Sequence, residues 1–130
     1  MRQKPLILLV DDEMNFLEII STKLTASGFE VVVAHNAAEA IDAAQKIKPD
    51  LILMDISMPG ETGTDAALAI KQDPAMKDIR IAFLSNMKDP WPQTTPTPSV
   101  LAQAIGMEEY LDKSADLDVI AAQVKKLLEK

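Results

Sequence analysis

Mostly apolar stretches of four to six residues alternate along the chain with stretches in which apolar residues recur every three or four positions. Short, continuous apolar runs are typical of strands buried on both faces of a parallel sheet. They predict strands at 6–10, 29–34, 51–54 and 79–84, with a shorter fifth strand at 109–111.

The stretches between these strands predict amphipathic helices. Asn36 is a good N-cap for the second helix, with Glu39 three residues later as in a capping box, and Pro49 marks its end. Gly28 suits the C-terminus of the first helix. The apolar stripe of the first helix comprises Phe16, Leu17, Ile20 and Leu24, and that of the last comprises Leu117, Ile120, Ala121, Val124, Leu127 and Leu128.

Five predicted strands alternating with five helical segments indicate an α/β fold, a doubly wound five-stranded parallel sheet covered on both faces. The length of 130 residues fits one domain, residues 1–130. Prolines at 90, 92, 96 and 98 predict an enlarged loop, since proline blocks helix formation. Thr97 and Pro98 supply the next helix start, so the fourth of five flanking helices is expected to be short and to end near Gly106.

Composition and charge narrow the chemistry. The chain has no cysteine and one histidine, His35, which excludes disulfides, thiolate zinc sites and multi-histidine metal sites. We expect His35 to be exposed and can name no partner for it. A net charge of −7 disfavours direct nucleic-acid binding and suits a cation or a basic partner. No apolar run could span a membrane, so we expect a cytoplasmic protein.

Polar side chains follow four of the predicted strands, at the edge of a parallel sheet where ligands bind. They are Asp11, Asp12 and Glu13, then Asp55, then Ser85 and Asn86, and finally Asp112 and Lys113. Converging carboxylates repel one another, and a divalent cation such as Mg²⁺ would relieve that repulsion. With a lysine and a hydroxyl for phosphoryl oxygens, the set favours phosphoryl transfer to a carboxylate.

These motifs resemble the receiver domain of two-component response regulators, of the chemotaxis-regulator type, over essentially the whole chain. The matching pieces are residues 8–13 (LLVDDE), residues 49–60 (PDLILMDISMPG), Ser85 and residues 110–113 (YLDK). The resemblance implies a flavodoxin-like sheet of order 2-1-3-4-5. It also implies a phosphorylation-dependent switch that accepts a phosphoryl group from a histidine kinase and changes its helix 4–strand 5–helix 5 surface to control a partner.

The resemblance assigns a role to each matching position. Asp55 would be the phosphoacceptor. Asp12, Asp55 and the backbone carbonyl of Ser57 would ligate Mg²⁺, with Asp11 acting through water. Lys113 and Ser85 would bind the phosphoryl oxygens, and Ser85 with Tyr110 would form the switch pair. Such a domain catalyses its own phosphorylation and dephosphorylation and is otherwise not an enzyme.

The sequence departs from the family pattern at several positions. Ser114 stands where a proline usually follows the lysine, and we expect a retained cis bond between Lys113 and Ser114. Asn86 and Met87 flank the approach to Asp55, which predicts slow autodephosphorylation. Trp91, in the proline-rich loop, either contacts a partner or packs against the short fourth helix.

Several alternatives stay open at this point. Asp11 and Asp12 could simply cap the first helix, and Asp55 could be a turn residue. A haloacid-dehalogenase-type phosphohydrolase would need a second aspartate where Ser57 stands. A nucleotide-binding module would need a glycine-rich phosphate loop, which is absent from the sequence. A receiver scaffold that is not phosphorylated is the third alternative.

The partners implied are a sensor histidine kinase or a phosphotransfer protein, and either a downstream protein target or an output domain. A phosphorylation-linked dimer is a further possibility. The sequence specifies neither the regulated process nor the oligomeric state. It is compatible both with a domain that stands alone and with one excised from a longer protein.

Overall fold

A computed structural model describes residues 4–55, 69–85, 109–112 and 116–129. The strands are β1 (Leu6–Val10), β2 (Glu30–Ala34), β3 (Leu51–Asp55), β4 (Arg80–Ser85) and β5 (Glu109–Asp112). The helices are α1 (Met14–Ala26), α2 (Ala37–Ile47) and the C-terminal helix (Leu117–Leu128). Residues 69–72 are also helical, and this turn ends at Asp73.

The strands form a parallel sheet in which the order β2-β1-β3-β4 follows the flavodoxin-like pattern. The predicted α/β class and the parallel direction are therefore confirmed. β5 pairs with the outer side of β4, also in parallel. The predicted short fourth helix and the proline-rich loop before it lie outside the described residues.

Helices cover both faces of the sheet, so β1 and β3 are buried at every position. The side chains of α2 pack on one face, and those of α1 and the C-terminal helix pack on the other. α1 buries Leu17, Ile20 and Leu24, as its apolar stripe predicts. Each such side chain contributes about 1.5–3 kcal/mol by leaving water.

The ends of the first two helices use the left-handed backbone region. Gly28, just beyond the end of α1, has φ 102°, a conformation that glycine adopts without strain. Lys48 closes α2 with φ 45°, where a side chain is less favourable, and Pro49 follows it. At its other end α2 is capped as predicted, since Asn36 Oδ1 accepts a hydrogen bond from Glu39 N at 2.9 Å.

Two polar contacts fasten the C-terminal helix to the rest of the domain. Lys23 of α1 forms an ion pair with Asp118, and the hydrogen bond from this lysine lowers the pKa of the Asp118 carboxyl. At the other end of the helix, Arg80 Nη1 donates to the carbonyl oxygen of Leu127. Among the described ranges, no helix combines the length and the apolar character that a membrane crossing requires.

Candidate metal and phosphoacceptor site

The ends of β1 and β3 bring two aspartates together. The two strands are neighbours, and their last register pair is Val10 with Met54. Asp11 follows Val10 just beyond the end of β1, and Asp55 follows Met54 as the last residue of β3, so the two aspartates lie side by side. Asp12 follows Asp11 at the start of the connection to α1. The same sheet edge thus receives three carboxylates from two adjacent strands.

The three carboxylates form a compact cluster. One oxygen from each of Asp11, Asp12 and Asp55 lies within 4.8 Å of the others. Asp11 is fully buried, Asp55 is 5% exposed and Asp12 is exposed. Two of the three carboxylates are therefore buried, and the cluster is open to solvent on the side of Asp12.

Local hydrogen bonds hold Asp11 in place. Its backbone N–H donates to the carbonyl of Ala34 at the end of β2, at 3.1 Å. Its Oδ1 accepts from the backbone N–H of Glu13 at 2.9 Å, and Glu13 is the N-cap residue of α1. The carboxylate thus helps to form the turn that leads into α1, so its orientation is fixed by the fold.

The chemistry of the donor set fits a hard divalent cation. Two carboxylates 4.8 Å apart repel each other by on the order of 3 kcal/mol at the effective dielectric typical of protein sites. A cation held beside the three carboxylates would offset this repulsion. Carboxylate oxygens with an open side for water and phosphate are the ligands that Mg²⁺ prefers.

Two further predicted site residues lie on neighbouring strands. The backbone register pairs Asp55 with Leu84 and Ser85 with Asp112, so Ser85 lies one position beyond the partner of Asp55 at the same edge. Tyr110 pairs with Phe83. The structure therefore places the Ser85 and Tyr110 backbones on adjacent strands, while their side chains lie outside its description.

The remaining predictions at this edge fall outside the described residues. The structure thus leaves the roles of Ser57 and Lys113 as predictions. The same holds for the expected cis bond to Ser114 and for the effects of the loop residues Asn86, Met87 and Trp91.

The structure supplies a partner for His35 that was not named from the sequence. Its ring is 40% exposed, but it has a partner, because Nδ1 lies 3.0 Å from Glu39 Oε1. Asn36 Nδ2 donates to the other oxygen of Glu39 at 2.9 Å. The hydrogen bond from His35 is the main reason why the pKa of Glu39 is lowered. The spacing of four residues across a helix start could have indicated this pair.

Two alternatives for the aspartates can now be assessed. Asp11 does help to shape the start of α1, although Glu13 is the residue at the N-cap position. Asp55 is the last residue of β3 and faces the cluster, so it is more than a turn residue. The hydrogen bond that Asp11 accepts from Glu13 N and its place in the cluster coexist.

Comparison with known proteins points to one domain family. The family model of the response regulator receiver domain matches residues 7–125. The transcriptional regulatory protein PrrA of Mycobacterium bovis is 34% identical over 125 residues, which cover 95% of this chain and 50% of PrrA. The chain thus spans about half the length of the curated relatives it matches.

Solved structures show the same architecture. The chemotaxis response regulator CheY4 of Vibrio cholerae has a TM-score of 0.83 and 26% identity, covering 96% of this chain and 99% of CheY4. The signal receiver domain of a signal transduction histidine kinase from Syntrophus aciditrophicus has a TM-score of 0.81 and 26% identity, covering 96% of this chain and 90% of that one. These relatives are named for transcriptional regulation, chemotaxis and histidine-kinase signalling, so what they share with this chain is the domain.

Proposed function

Because the chain belongs to the response regulator receiver domain family, we propose that it is a signalling switch controlled by phosphorylation of Asp55. The observation that supports this most strongly is the cluster of Asp11, Asp12 and Asp55, whose oxygens lie within 4.8 Å of one another. Asp55 terminates the central strand β3, between the strands that carry the other proposed site residues.

In the proposed reaction, one carboxylate oxygen of Asp55 attacks the phosphorus of a phosphohistidine on the donor protein. An oxygen–phosphorus bond forms, the phosphorus–nitrogen bond breaks, and the imidazole leaves with its electron pair and takes a proton from solvent. The product is an acyl phosphate on Asp55. Burial keeps Asp55 in a fixed orientation, and positioning is the main contribution that a protein makes to phosphoryl transfer.

The neighbouring residues serve to bind and orient. Asp12, Asp55 and the Ser57 carbonyl would hold Mg²⁺, with Asp11 acting through water; when bound, the ion neutralises phosphoryl oxygens. Lys113 supplies a positive charge for a second phosphoryl oxygen, and Ser85 donates a hydrogen bond to a third.

The output is proposed to be conformational. Movement of Ser85 toward the phosphoryl group, with Tyr110 turning inward, would alter the surface formed by the fourth helix, β5 and the C-terminal helix. Phosphorylation can shift this equilibrium only by as much as it favours one arrangement over the other.

The proposed setting is a cytoplasmic two-component pathway. The upstream partner is a histidine kinase or a phosphotransfer protein, and the downstream partner is a protein target or an output domain. The domain turns over only its own phosphoryl group. That it makes no direct contact with nucleic acid stays a prediction from its charge.

Intact-mass spectrometry after incubation with a small acyl phosphate and Mg²⁺ tests the proposal. The wild-type chain should gain the mass of one phosphoryl group, and the Asp55→Asn variant should gain none. Asp42→Asn is the matched control, because Asp42 is an exposed carboxylate of α2 paired with Lys46. Equal labelling of the Asp55→Asn variant and the wild type would refute the assignment.

A further inference from the structure

The hydrophobic pattern of β1 and β3 leaves their mutual register open. Both strands are apolar and buried at nearly every position, with the sequences LILLV and LILMD. A slip of one residue normally moves apolar side chains from the core to solvent, and this sets the register of most strands. Here both faces are covered, so a slip would mostly exchange one buried apolar side chain for another. Polar groups at the strand ends must therefore specify the pairing.

Asp50 supplies such a group at the edge opposite the carboxylate cluster. Its Oδ2 accepts a hydrogen bond from Leu6 N at 2.8 Å, and its own N–H donates to Leu6 O at 2.8 Å. Two hydrogen bonds thus join the same two residues at the start of β1 and β3. Lys48, in its left-handed conformation, and Pro49 lead the chain from α2 into this position.

The spacing from this contact to the cluster is the same on both strands. Asp11 lies five residues after Leu6 (11 − 6), and Asp55 lies five residues after Asp50 (55 − 50). The register pairs from Ile7 with Leu51 to Val10 with Met54 run between them without a bulge. A contact that aligns Leu6 with Asp50 consequently aligns Asp11 with Asp55.

A change in this alignment would disrupt the cluster. A strand advances about 3.3 Å per residue, and successive side chains point to opposite faces. A slip of one residue would shift Asp55 by about that distance along the strand direction relative to Asp11. It would also direct the Asp55 carboxylate to the opposite face of the sheet. That displacement is large relative to the 4.8 Å within which the three oxygens now lie.

We propose that Asp50 is a positioning residue, which fixes the register of β1 against β3 and so sets the separation of the Asp11 and Asp55 carboxylates on which cation binding depends. This inference rests on the proposed function, since the cation site is the one that phosphorylation would use. Asp50 lies about 17 Å along the strand from Asp55, so it acts only through the sheet.

The test compares Mg²⁺ affinities of intact chains by isothermal titration calorimetry, at a temperature where circular dichroism shows each variant fully folded. Asp50→Ala removes the acceptor for Leu6 N and should raise the apparent Kd for Mg²⁺ about tenfold, the increase expected if roughly one chain in ten keeps the register that forms the cluster. Asp50→Asn keeps an oxygen acceptor and should restore near-wild-type affinity.

Two comparisons separate positioning from charge and from stability. Asp50→Asn loses the same charge as Asp50→Ala, so an electrostatic effect would weaken both equally. Arg80→Ala removes a polar contact at the same sheet edge, the one to Leu127, and should leave the Kd unchanged. Should Asp50→Ala fail to fold, Asp50→Glu, whose oxygens lie one methylene further out, should bind Mg²⁺ more weakly than Asp50→Asn.

The outcomes are distinct. Wild-type affinity in Asp50→Ala, equal weakening in Asp50→Asn, or equal weakening in Arg80→Ala would each overturn the positioning role and leave the proposed function intact. A wild-type chain that binds no Mg²⁺ would instead overturn the proposed function, and this inference with it.

Discussion

Replacing Asp55 by asparagine should stabilise the fold when no divalent cation is present. Asp55 is 5% exposed and shares the cluster with two other carboxylates, whose nearest oxygens lie within 4.8 Å. The two buried charges, on Asp11 and Asp55, repel each other by on the order of 3 kcal/mol at that distance and an effective dielectric constant of about 20. Asparagine keeps the shape of the side chain and one acceptor oxygen while removing the charge.

Two effects limit the gain. Protonating a carboxylate with an ordinary pKa near 4 costs about 4 kcal/mol at pH 7, so the repulsion energy of any one carboxylate cannot exceed that value. Asp12 is also exposed, so solvent screens its repulsion of Asp55, and removing that repulsion adds little. We therefore expect Asp55→Asn to raise the free energy of unfolding by about 1–3 kcal/mol.

Urea unfolding at pH 7, with EDTA or with Mg²⁺, measures this difference. In EDTA the variant should unfold at a higher urea concentration than the wild type. Mg²⁺ at ten times its Kd should stabilise the wild type by about 1.4 kcal/mol and the variant by less, so the gap narrows. The control Asp42→Asn should not be more stable than the wild type in either buffer. An Asp55→Asn variant that is no more stable in EDTA would refute the electrostatic reasoning.

Three other predictions address separate parts of the domain. Asp12→Ala should abolish most of the rise in melting temperature that Mg²⁺ causes while changing the temperature in EDTA little, because Asp12 is exposed; an unchanged rise would place the cation elsewhere. Glu39→Ala should lower the urea midpoint at pH 7, since the hydrogen bond from His35 lowers the pKa of Glu39 from its ordinary 4.5. This contribution is complete above pH 4.5 and is lost as the pH falls through the lower pKa of the folded state, so the variant should match the wild type at strongly acidic pH; a difference that persists there would contradict the assignment. Arg80→Ala should cost about 1–2 kcal/mol and speed amide exchange in the last turn of the C-terminal helix, near Leu127; unchanged exchange would show that the contact is dispensable.

The sequence predicts those parts of the fold that depend on local pattern. Continuous apolar runs locate β1 and β3, and the spacing of Leu17, Ile20 and Leu24 locates the buried face of α1. Because parallel strands present their carboxyl ends at one edge of the sheet, the sequence predicts that Asp11 and Asp55 lie at the same edge.

Other features depend on contacts between residues far apart in sequence, or on one backbone conformation. The valines of β2 resemble those of a buried strand, yet Val32 and Val33 are partly exposed because β2 lies at the edge of the sheet. The link between Asp50 and Leu6 spans 44 residues and has no local signature. The left-handed backbone conformation of Lys48 could not be predicted from the sequence either, because lysine does not favour that conformation.

The most direct test of the central claim is to locate the phosphoryl group by chemical trapping. Borohydride reduces an aspartyl phosphate to homoserine, which peptide sequencing by mass spectrometry assigns to one position. After incubation with a small acyl phosphate and Mg²⁺, homoserine should appear at position 55, and it should be absent when EDTA replaces Mg²⁺. Homoserine at position 11 or 12, or none at position 55 in a chain that has gained a phosphoryl group, would contradict the account.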